Sequence, residues 1–367
     1  MTTTTNPWIE NLPVYEPGRP IEDLARALGF DYHEIIKVAS NENELGPSPK
    51  AIAAMHAAAR EMHRYPDGAC HSLKTKLAAR LDLGPNNLAF GAGSNELIEL
   101  LGHIYLSPRA GMVVSEGAFA VYRLVAALFN APATIAPMKH FGHDPDALLA
   151  ALTPETRLLI ICNPNNPTGT TLAPETLDRL LDATPPHILA VLDEAYQEYL
   201  PPPLRPDLLR HIRAGRENLL LLRTFSKIHG LAGLRIGYAI GHEKVIAALN
   251  RVRQPFNVSA MAAAAAAAAL DDDEHLARTR RANDEGHRYF ADQLPRLAGG
   301  LDYVPSHANF LLVKTGRGRE VFDALQRRKI IVRPMDGYNL PDWIRITIGT
   351  PEQNRAIIAA LREILTR

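Results

Sequence analysis

Between residues 88 and 253, short apolar runs alternate with longer segments of helical periodicity, and this alternation narrows the fold more than any other feature of the chain. The expected strands are Leu88–Phe90, Met112–Ser115, Ala133–Pro137, Arg157–Cys162, Ile188–Leu192, Leu219–Arg223 and Ile236–Ile240. Several are continuously apolar, the pattern of strands covered on both faces. Helical patterns lie between them, among them Glu96–Leu106, Phe119–Phe129, Pro174–Ala183 and Glu243–Arg253. Strand–helix alternation of this kind calls for a mainly parallel sheet. Seven strands suit one large three-layer α/β/α domain, placed at 36–255.

The pattern changes after residue 255. A long helix is expected from about Ala260 to Leu294, and it opens with an unbroken alanine run over 262–269. Strands at Phe310–Lys314, Ile330–Arg333 and Ile344–Ile348, with a helix at Arg319–Arg328, read as a smaller α+β domain, 256–367. Residues 1–35 fit neither unit and read as an arm packing with the small domain. In it, Leu12–Tyr15 is extended and Ile21–Leu28 is a short helix.

Composition removes several function classes. The 367 residues carry 40 Lys plus Arg against 40 Asp plus Glu, so the basic excess of a general nucleic-acid binder is missing. No apolar run reaches the roughly 18 residues of a membrane span, and the polar stretch Met1–Glu10 does not look like a secretory signal. Two distant cysteines, Cys70 and Cys162, suit a reducing cytoplasm better than a disulfide framework. No H-E-x-x-H run is present. His140 and His143 share a glycine-containing loop and read as surface polar residues, so no metal is expected.

Ligands of a parallel α/β sheet gather at the carboxyl ends of its strands. Four segments there carry chemistry. After Leu88–Phe90 comes Gly91-Ala92-Gly93-Ser94-Asn95-Glu96, a turn opening a helix, where free N–H groups favour a phosphate. It lacks the third glycine of the dinucleotide fingerprint and any Walker lysine, and an ordinary tight turn would look the same. After Arg157–Cys162 comes Asn163-Pro164-Asn165-Asn166-Pro167-Thr168-Gly169, whose composition demands a fixed backbone and suits a cis X-Pro bond. After Ile188–Leu192 comes Asp193-Glu194-Ala195-Tyr196. An acid at a buried strand end needs a cation, such as a protonated ring nitrogen, unless it serves as a helix cap. After Leu219–Arg223, Lys227 sits between Ser226 and Ile228 in an apolar, glycine-rich stretch ending at Arg235-Ile236-Gly237. Poor solvation lowers a lysine's pKa and makes it a nucleophile towards aldehydes. Thr224, Ser226 and Arg235 together suit a phosphate.

These segments, in this order, resemble the fold-type I pyridoxal-phosphate aminotransferases, and more narrowly their histidinol-phosphate aminotransferase branch. The resemblance extends to Tyr15–Ile21, Ala39–Asn43, Leu45–Pro49, Arg64–Gly68 and the run from Arg333 to Gly349. It implies pyridoxal 5'-phosphate as cofactor, with Lys227 bonded covalently to its aldehyde and Asp193 paired with its pyridine nitrogen. It implies Asn166 and Tyr196 at the phenolic oxygen, Phe119 stacked on the ring, and Gly93, Ser94, Asn95, Thr224, Ser226 and Arg235 around the phosphate. Tyr65 matches a tyrosine that reaches the cofactor phosphate of a neighbouring subunit, implying a homodimer with shared active sites. Arg345 matches the arginine that clamps a substrate carboxylate, while Tyr15, Asn43 and Arg333 match the rest of the substrate site, Arg333 and Tyr15 at the phosphate end. The implied reaction is L-histidinol phosphate plus 2-oxoglutarate giving imidazole-acetol phosphate plus L-glutamate, in histidine biosynthesis. An aromatic aminotransferase, a threonine-phosphate decarboxylase and a non-catalytic cofactor-binding regulator remain as alternatives. Glu44 stands where the family commonly has proline, and Ser115-Glu116-Gly117 and His307-Ala308 also depart from its usual pattern.

Overall fold

A computed structural model of the chain describes residues 4–14 and 18–366. The seven expected strands form one sheet: β1 (Leu88–Gly91), β2 (Gly111–Ser115), β3 (Ala133–Ala136), β4 (Thr156–Cys162), β5 (Leu189–Asp193), β6 (Leu219–Thr224) and β7 (Gly237–Gly241). Their spatial order is β1-β7-β6-β5-β4-β2-β3. Only β7 runs against its neighbours; every other adjacent pair is parallel.

The uninterrupted apolar runs have a direct packing cause. Along β4, Leu159 and Ile161 enter the core on one face of the sheet, while Leu158, Ile160 and Cys162 enter the core on the other. Both faces are covered, so neither set of alternating side chains is free to be polar. Pairing register then aligns the strand ends: Cys162 lies opposite Asp193, and Asp193 opposite Leu222. The loops after β4, β5 and β6 therefore start side by side. β7 must begin with glycine, since a Cβ on Gly237 would lie 2.6 Å from the Ser94 nitrogen and 2.8 Å from the Gly93 carbonyl carbon.

The helix expected over 260–294 is two helices, Ala260–Ala269 and Asp273–Gln293. Asp272 breaks the run, because its carboxylate accepts from His275 N at 3.1 Å and caps the second helix. The alanine helix also packs elsewhere than its composition suggested. Ala262, Ala265, Ala266 and Ala269 are buried in the core of the large unit, against the helix Pro49–Ala59. Methyl side chains on both partners allow close approach. The composition changes at 255, but the packing changes only after Leu270.

The smaller unit is a four-stranded antiparallel sheet, β8 (Tyr303–Val304), β9 (Phe310–Lys314), β10 (Arg333–Pro334) and β11 (Trp343–Thr347), in the order β8-β9-β11-β10. The expected strand Ile330–Arg333 is divided: Ile330–Ile331 pairs in parallel with Ile36–Lys37, and Arg333–Pro334 joins the small sheet. Its helices Asp273–Gln293, Gly318–Gln326 and Pro351–Leu365 contribute Phe290, Val321, Leu325, Ile357 and Leu361 to a separate core. In the arm, the helix Ile21–Leu28 buries Leu24 against Ile35, Ala39 and Ile331, while Trp8 Nε1 donates to Leu128 O of the large unit at 3.2 Å. His143 is buried rather than at the surface, with Nε2 2.9 Å from Cys162 O. Among the described residues, no helix is long and apolar enough to cross a membrane.

Overfilling the alanine interface should be costly. Ala266→Leu is expected to lower the unfolding free energy by about 1–3 kcal/mol, read as a lower denaturation midpoint at unchanged slope; an unchanged midpoint would mean the two helices separate easily.

Candidate active site

The loops at the carboxyl ends of β1, β4, β5 and β6 close around a cavity of about 350 Å³, completed by the 39–42 segment and by Arg333, Tyr338 and Arg345 of the small unit. At one end lies the turn after β1. Gly93 has φ +83°, and a Cβ there would lie 2.5 Å from Arg235 Nη2. Only glycine lets the backbone come so near the guanidinium. Ser94 opens the helix Ser94–Tyr105, which points its free N–H groups into the cavity end. Arg235 is held by bonds from Nη1 to Ala232 O at 2.9 Å and to Ser226 Oγ at 3.4 Å. Thr224 Oγ1 accepts from Ser226 N at 3.1 Å, which fixes the two hydroxyl-bearing residues relative to each other. Helix N-terminus, hydroxyls and guanidinium together form an oxyanion cradle.

Asp193 is the last residue of β5 and lies in the cavity wall. Tyr122 Oη donates to its Oδ2 at 2.7 Å, and Ala195 N donates to its Oδ1 at 3.1 Å. Burial pushes its carboxyl pKa up, and these two donors oppose the shift. Phe119, which precedes the helix Ala120–Leu128, meets the Tyr122 ring edge-on at 5.7 Å.

Lys227 follows the end of β6. Its Nζ donates to Ser40 O at 3.1 Å and lies 5.7 Å from the centroid of the Tyr196 ring. Burial, with Arg345 and Arg235 adding repulsion, lowers its pKa to about 8. Tyr196 Oη accepts from Asn41 Nδ2 at 2.9 Å, and burial holds this phenol well above the ordinary tyrosine range.

Arg345 on β11 donates from Nη1 to Asn166 Oδ1 at 2.5 Å and from Nη2 to Ala39 O at 2.8 Å, with its guanidinium 5.1 Å from the Phe310 ring centroid. Asn166 lies in the loop after β4, whose Asn163-Pro164 and Asn166-Pro167 bonds are both cis. Asn165 Nδ2 ties that loop to Gly117 O at 2.9 Å and to Thr168 Oγ1 at 2.8 Å. Arg333 lies directly opposite Arg345 in the β10–β11 register, so both side chains leave the same face of the small sheet. Arg333 and Tyr338 also border a wider mouth of about 920 Å³ that includes Arg123, Arg319 and Phe322.

The structure thus brings together Ser94, Asn95, Phe119, Asn166, Asp193, Tyr196, Thr224, Ser226, Lys227, Arg235, Arg333 and Arg345, with Gly93 behind the cradle. Two expected residues stand apart, and a third is not described. Tyr65 is 83% exposed, stacked on Phe256 at 4.8 Å and away from this cavity. Asn43 does not line it. Its Nδ2 donates to Ile228 O at 2.9 Å and its Oδ1 accepts from Leu45 N at 3.1 Å, so its amide braces the loop after Lys227 rather than facing a ligand. Tyr15 lies outside the described residues. Glu44 turns towards the terminal helix, accepting from Gln353 Nε2 at 2.6 Å. Sequence reasoning missed Tyr122, Ser40, Asn41 and Tyr338. Tyr122 was within reach, because it follows Phe119 by three residues on one helix face. Ser40 acts through its main-chain oxygen and left no side-chain signal.

Residues 33–361 match the family aminotransferase class I and II. The chain is 46% identical over 361 residues to histidinol-phosphate aminotransferase of Akkermansia muciniphila, covering 98% of both chains. It is 46% identical over 358 residues to the Moorella thermoacetica protein of the same name, covering 97% of this chain and 92% of that one. Among solved structures, the Sinorhizobium meliloti histidinol-phosphate aminotransferase in complex with pyridoxal-5'-phosphate superposes with a TM-score of 0.89 at 29% identity, over 100% of this chain and 98% of that one. With the mainly parallel seven-stranded sheet, the lysine after β6 and the acid at the end of β5 in place, the chain belongs to the aminotransferase class I and II family.

Proposed function

We propose that the protein transfers the amino group of L-histidinol phosphate to 2-oxoglutarate, giving imidazole-acetol phosphate and L-glutamate, with pyridoxal 5'-phosphate as cofactor. The observation that carries this reading is a buried lysine of lowered pKa sharing one cavity with a buried acid and an oxyanion cradle. The relatives similar over nearly the whole chain bear the name of this activity.

The donor set fits the cofactor. The cradle of Ser94, Asn95, Thr224, Ser226 and Arg235 suits its phosphate, Asp193 its pyridine nitrogen, Asn166 and Tyr196 its phenolic oxygen, and the Phe119 ring its face. When bound, pyridoxal phosphate supplies an aldehyde that links to amines and a ring that accepts an electron pair. Asp193, whose pKa burial raises against the opposing pull of Tyr122 and Ala195 N, is placed to hold the proton on the ring nitrogen. Lys227, at a pKa of about 8, is neutral in roughly one molecule in ten at pH 7. The neutral amine takes the proton from the amine-bearing carbon of the substrate and returns one as a general acid. Arg345 receives the carboxylate of glutamate or 2-oxoglutarate, and Arg333 the phosphate of histidinol phosphate. Planar guanidinium forks suit both oxyanions. Exposed Tyr65 supports a homodimer in which each subunit lends this tyrosine to its partner's cofactor phosphate.

Three outcomes test this reading. In cofactor-free protein, acylation of Lys227 should reach half its maximal rate near pH 8, below the surface lysines, as read by peptide mapping across a pH series; a midpoint shared with the bulk lysines would remove the buried-nucleophile argument. Arg333→Ala should weaken the histidinol-phosphate half-reaction by about 2–4 kcal/mol, the order of a lost charge-assisted pair, and the phenylalanine half-reaction much less. Single-turnover spectroscopy measures both, and equal losses would take phosphate recognition away from Arg333. Mixing Lys227→Ala with Tyr65→Ala subunits should restore activity above either parent, since the heterodimer then holds one intact site; a mixture no better than its parents would confine each site to one chain.

A further inference from the structure

Each catalytic segment has neighbours that turn away from the active site: Glu194 beside Asp193, Gln197 beside Tyr196, Arg223 beside Thr224, and His229 two residues after Lys227. Several of these line a second cavity of about 160 Å³, enclosed by the helices His71–Leu81 and Asp273–Gln293 and the loop after β5. Four guanidinium groups border it, from Arg80, Arg205, Arg223 and Arg280, together with Glu198 and His229.

Charge inside this cavity does not balance. Arg80 is neutralised by Asp273 at 2.5 Å, and Arg223 by Glu194 at 2.8 Å, a pair whose side chains are only 8% and 2% exposed. Arg205 and Arg280 remain, with Glu198 as their nearest carboxylate on the wall. Their bonds run instead to main-chain oxygens, Arg205 Nη2 to Leu200 O at 2.8 Å and Arg280 Nε to Glu198 O at 2.7 Å. A carbonyl fixes a guanidinium in place but cancels no charge. Two buried nitrogens on the wall, Arg205 Nε and His229 Nδ1, have no protein partner, and His229 is only 6% exposed. Arg205 Nε can only donate, and buried donors are ordinarily satisfied, so it calls for a group that accepts hydrogen bonds. Anchored guanidinium groups with an excess positive charge are a preformed receptor for a small oxyanion.

We propose that this cavity binds a free inorganic oxyanion of the sulfate or phosphate type, gripped by Arg205 and Arg280 on the side of the catalytic segments opposite the cofactor. The bound anion links the loop after β5 to the helix Asp273–Gln293, and so joins the segment carrying Asp193 and Tyr196 to the small unit.

Sulfate is the cleaner probe, because its charge is constant between pH 6 and 8. Thermal unfolding of the cofactor-loaded enzyme is followed as sulfate is titrated at constant ionic strength. The wild type should show a saturable rise in midpoint of roughly 1–3 °C. Arg333→Ala should keep that rise, since it empties only the proposed substrate subsite. Arg205→Ala and Arg280→Gln, each checked for a native cofactor spectrum, should retain only the gradual, non-saturating stabilisation that excluded salts give any protein. The saturable rise should also be larger at pH 6 than at pH 8. Glu198, facing Arg223, Arg280 and Glu194, is pushed up to about 7 by burial, so it sheds its negative charge on acidification, while His229, lowered to about 3, stays neutral throughout. A response identical in all four proteins, or no saturable phase in the wild type, overturns the proposal and leaves a cavity filled by water. A saturable phase lost in Arg333→Ala overturns it too, by placing the anion in the active site.

Discussion

The hydrogen bond from Tyr122 to Asp193 answers a demanding requirement, an acid at a strand end closed off from water. Desolvation alone would drive the carboxyl towards its neutral form. The phenol on one oxygen and a main-chain N–H on the other oppose that drive. Their positions depend on the sheet. Tyr122 is fully buried in the core on one face, and the β4–β5–β6 register sets Asp193 between Cys162 and Leu222. The buried pair Glu194–Arg223 directly behind repeats the same logic, charge tolerated only where geometry supplies its complement.

The active site is also the joint between the two units. Asn41 donates to Tyr196 through its side chain and to Thr347 Oγ1 through its main-chain N–H. Asn309 donates to the main chain at Asn41 and Glu42, and Arg345 reaches across to Asn166 and Ala39. The 39–43 segment is therefore a shared crosspiece, bonded to both units along nearly its whole length. Movement of one unit against the other would have to rearrange the residues that face the substrate.

Much of this was legible in the sequence, for reasons that differ from part to part. The strands of the large sheet were readable because burial on both faces leaves unbroken apolar runs, and their carboxyl-end loops followed from the parallel order. Lys227, Asp193 and Arg235 stood out because each is a charged residue in an apolar setting. The division of the expected 260–294 helix was hidden because helix propensity continues across it, and only the Asp272 carboxylate stops it. The placement of the alanine helix in the large core was hidden too, since a run of methyl groups has no polar face to show which side meets a neighbour. Ser40 and Asn43 act on or through the main chain, and side-chain chemistry says little about such roles. His143 was misread because its satisfied place beside Cys162 O comes from tertiary packing alone.

The register of the small sheet has a further consequence. Arg333 and Arg345 lie directly opposite each other across adjacent strands. β10 is the edge strand, only two residues long and ending in a proline that can donate nothing to the ladder. The ladder itself therefore secures the strand that carries Arg333 with few bonds. The residue proposed to meet the substrate phosphate thus stands on the least extensively paired edge of the small sheet, where a shift of the strand would move the guanidinium directly.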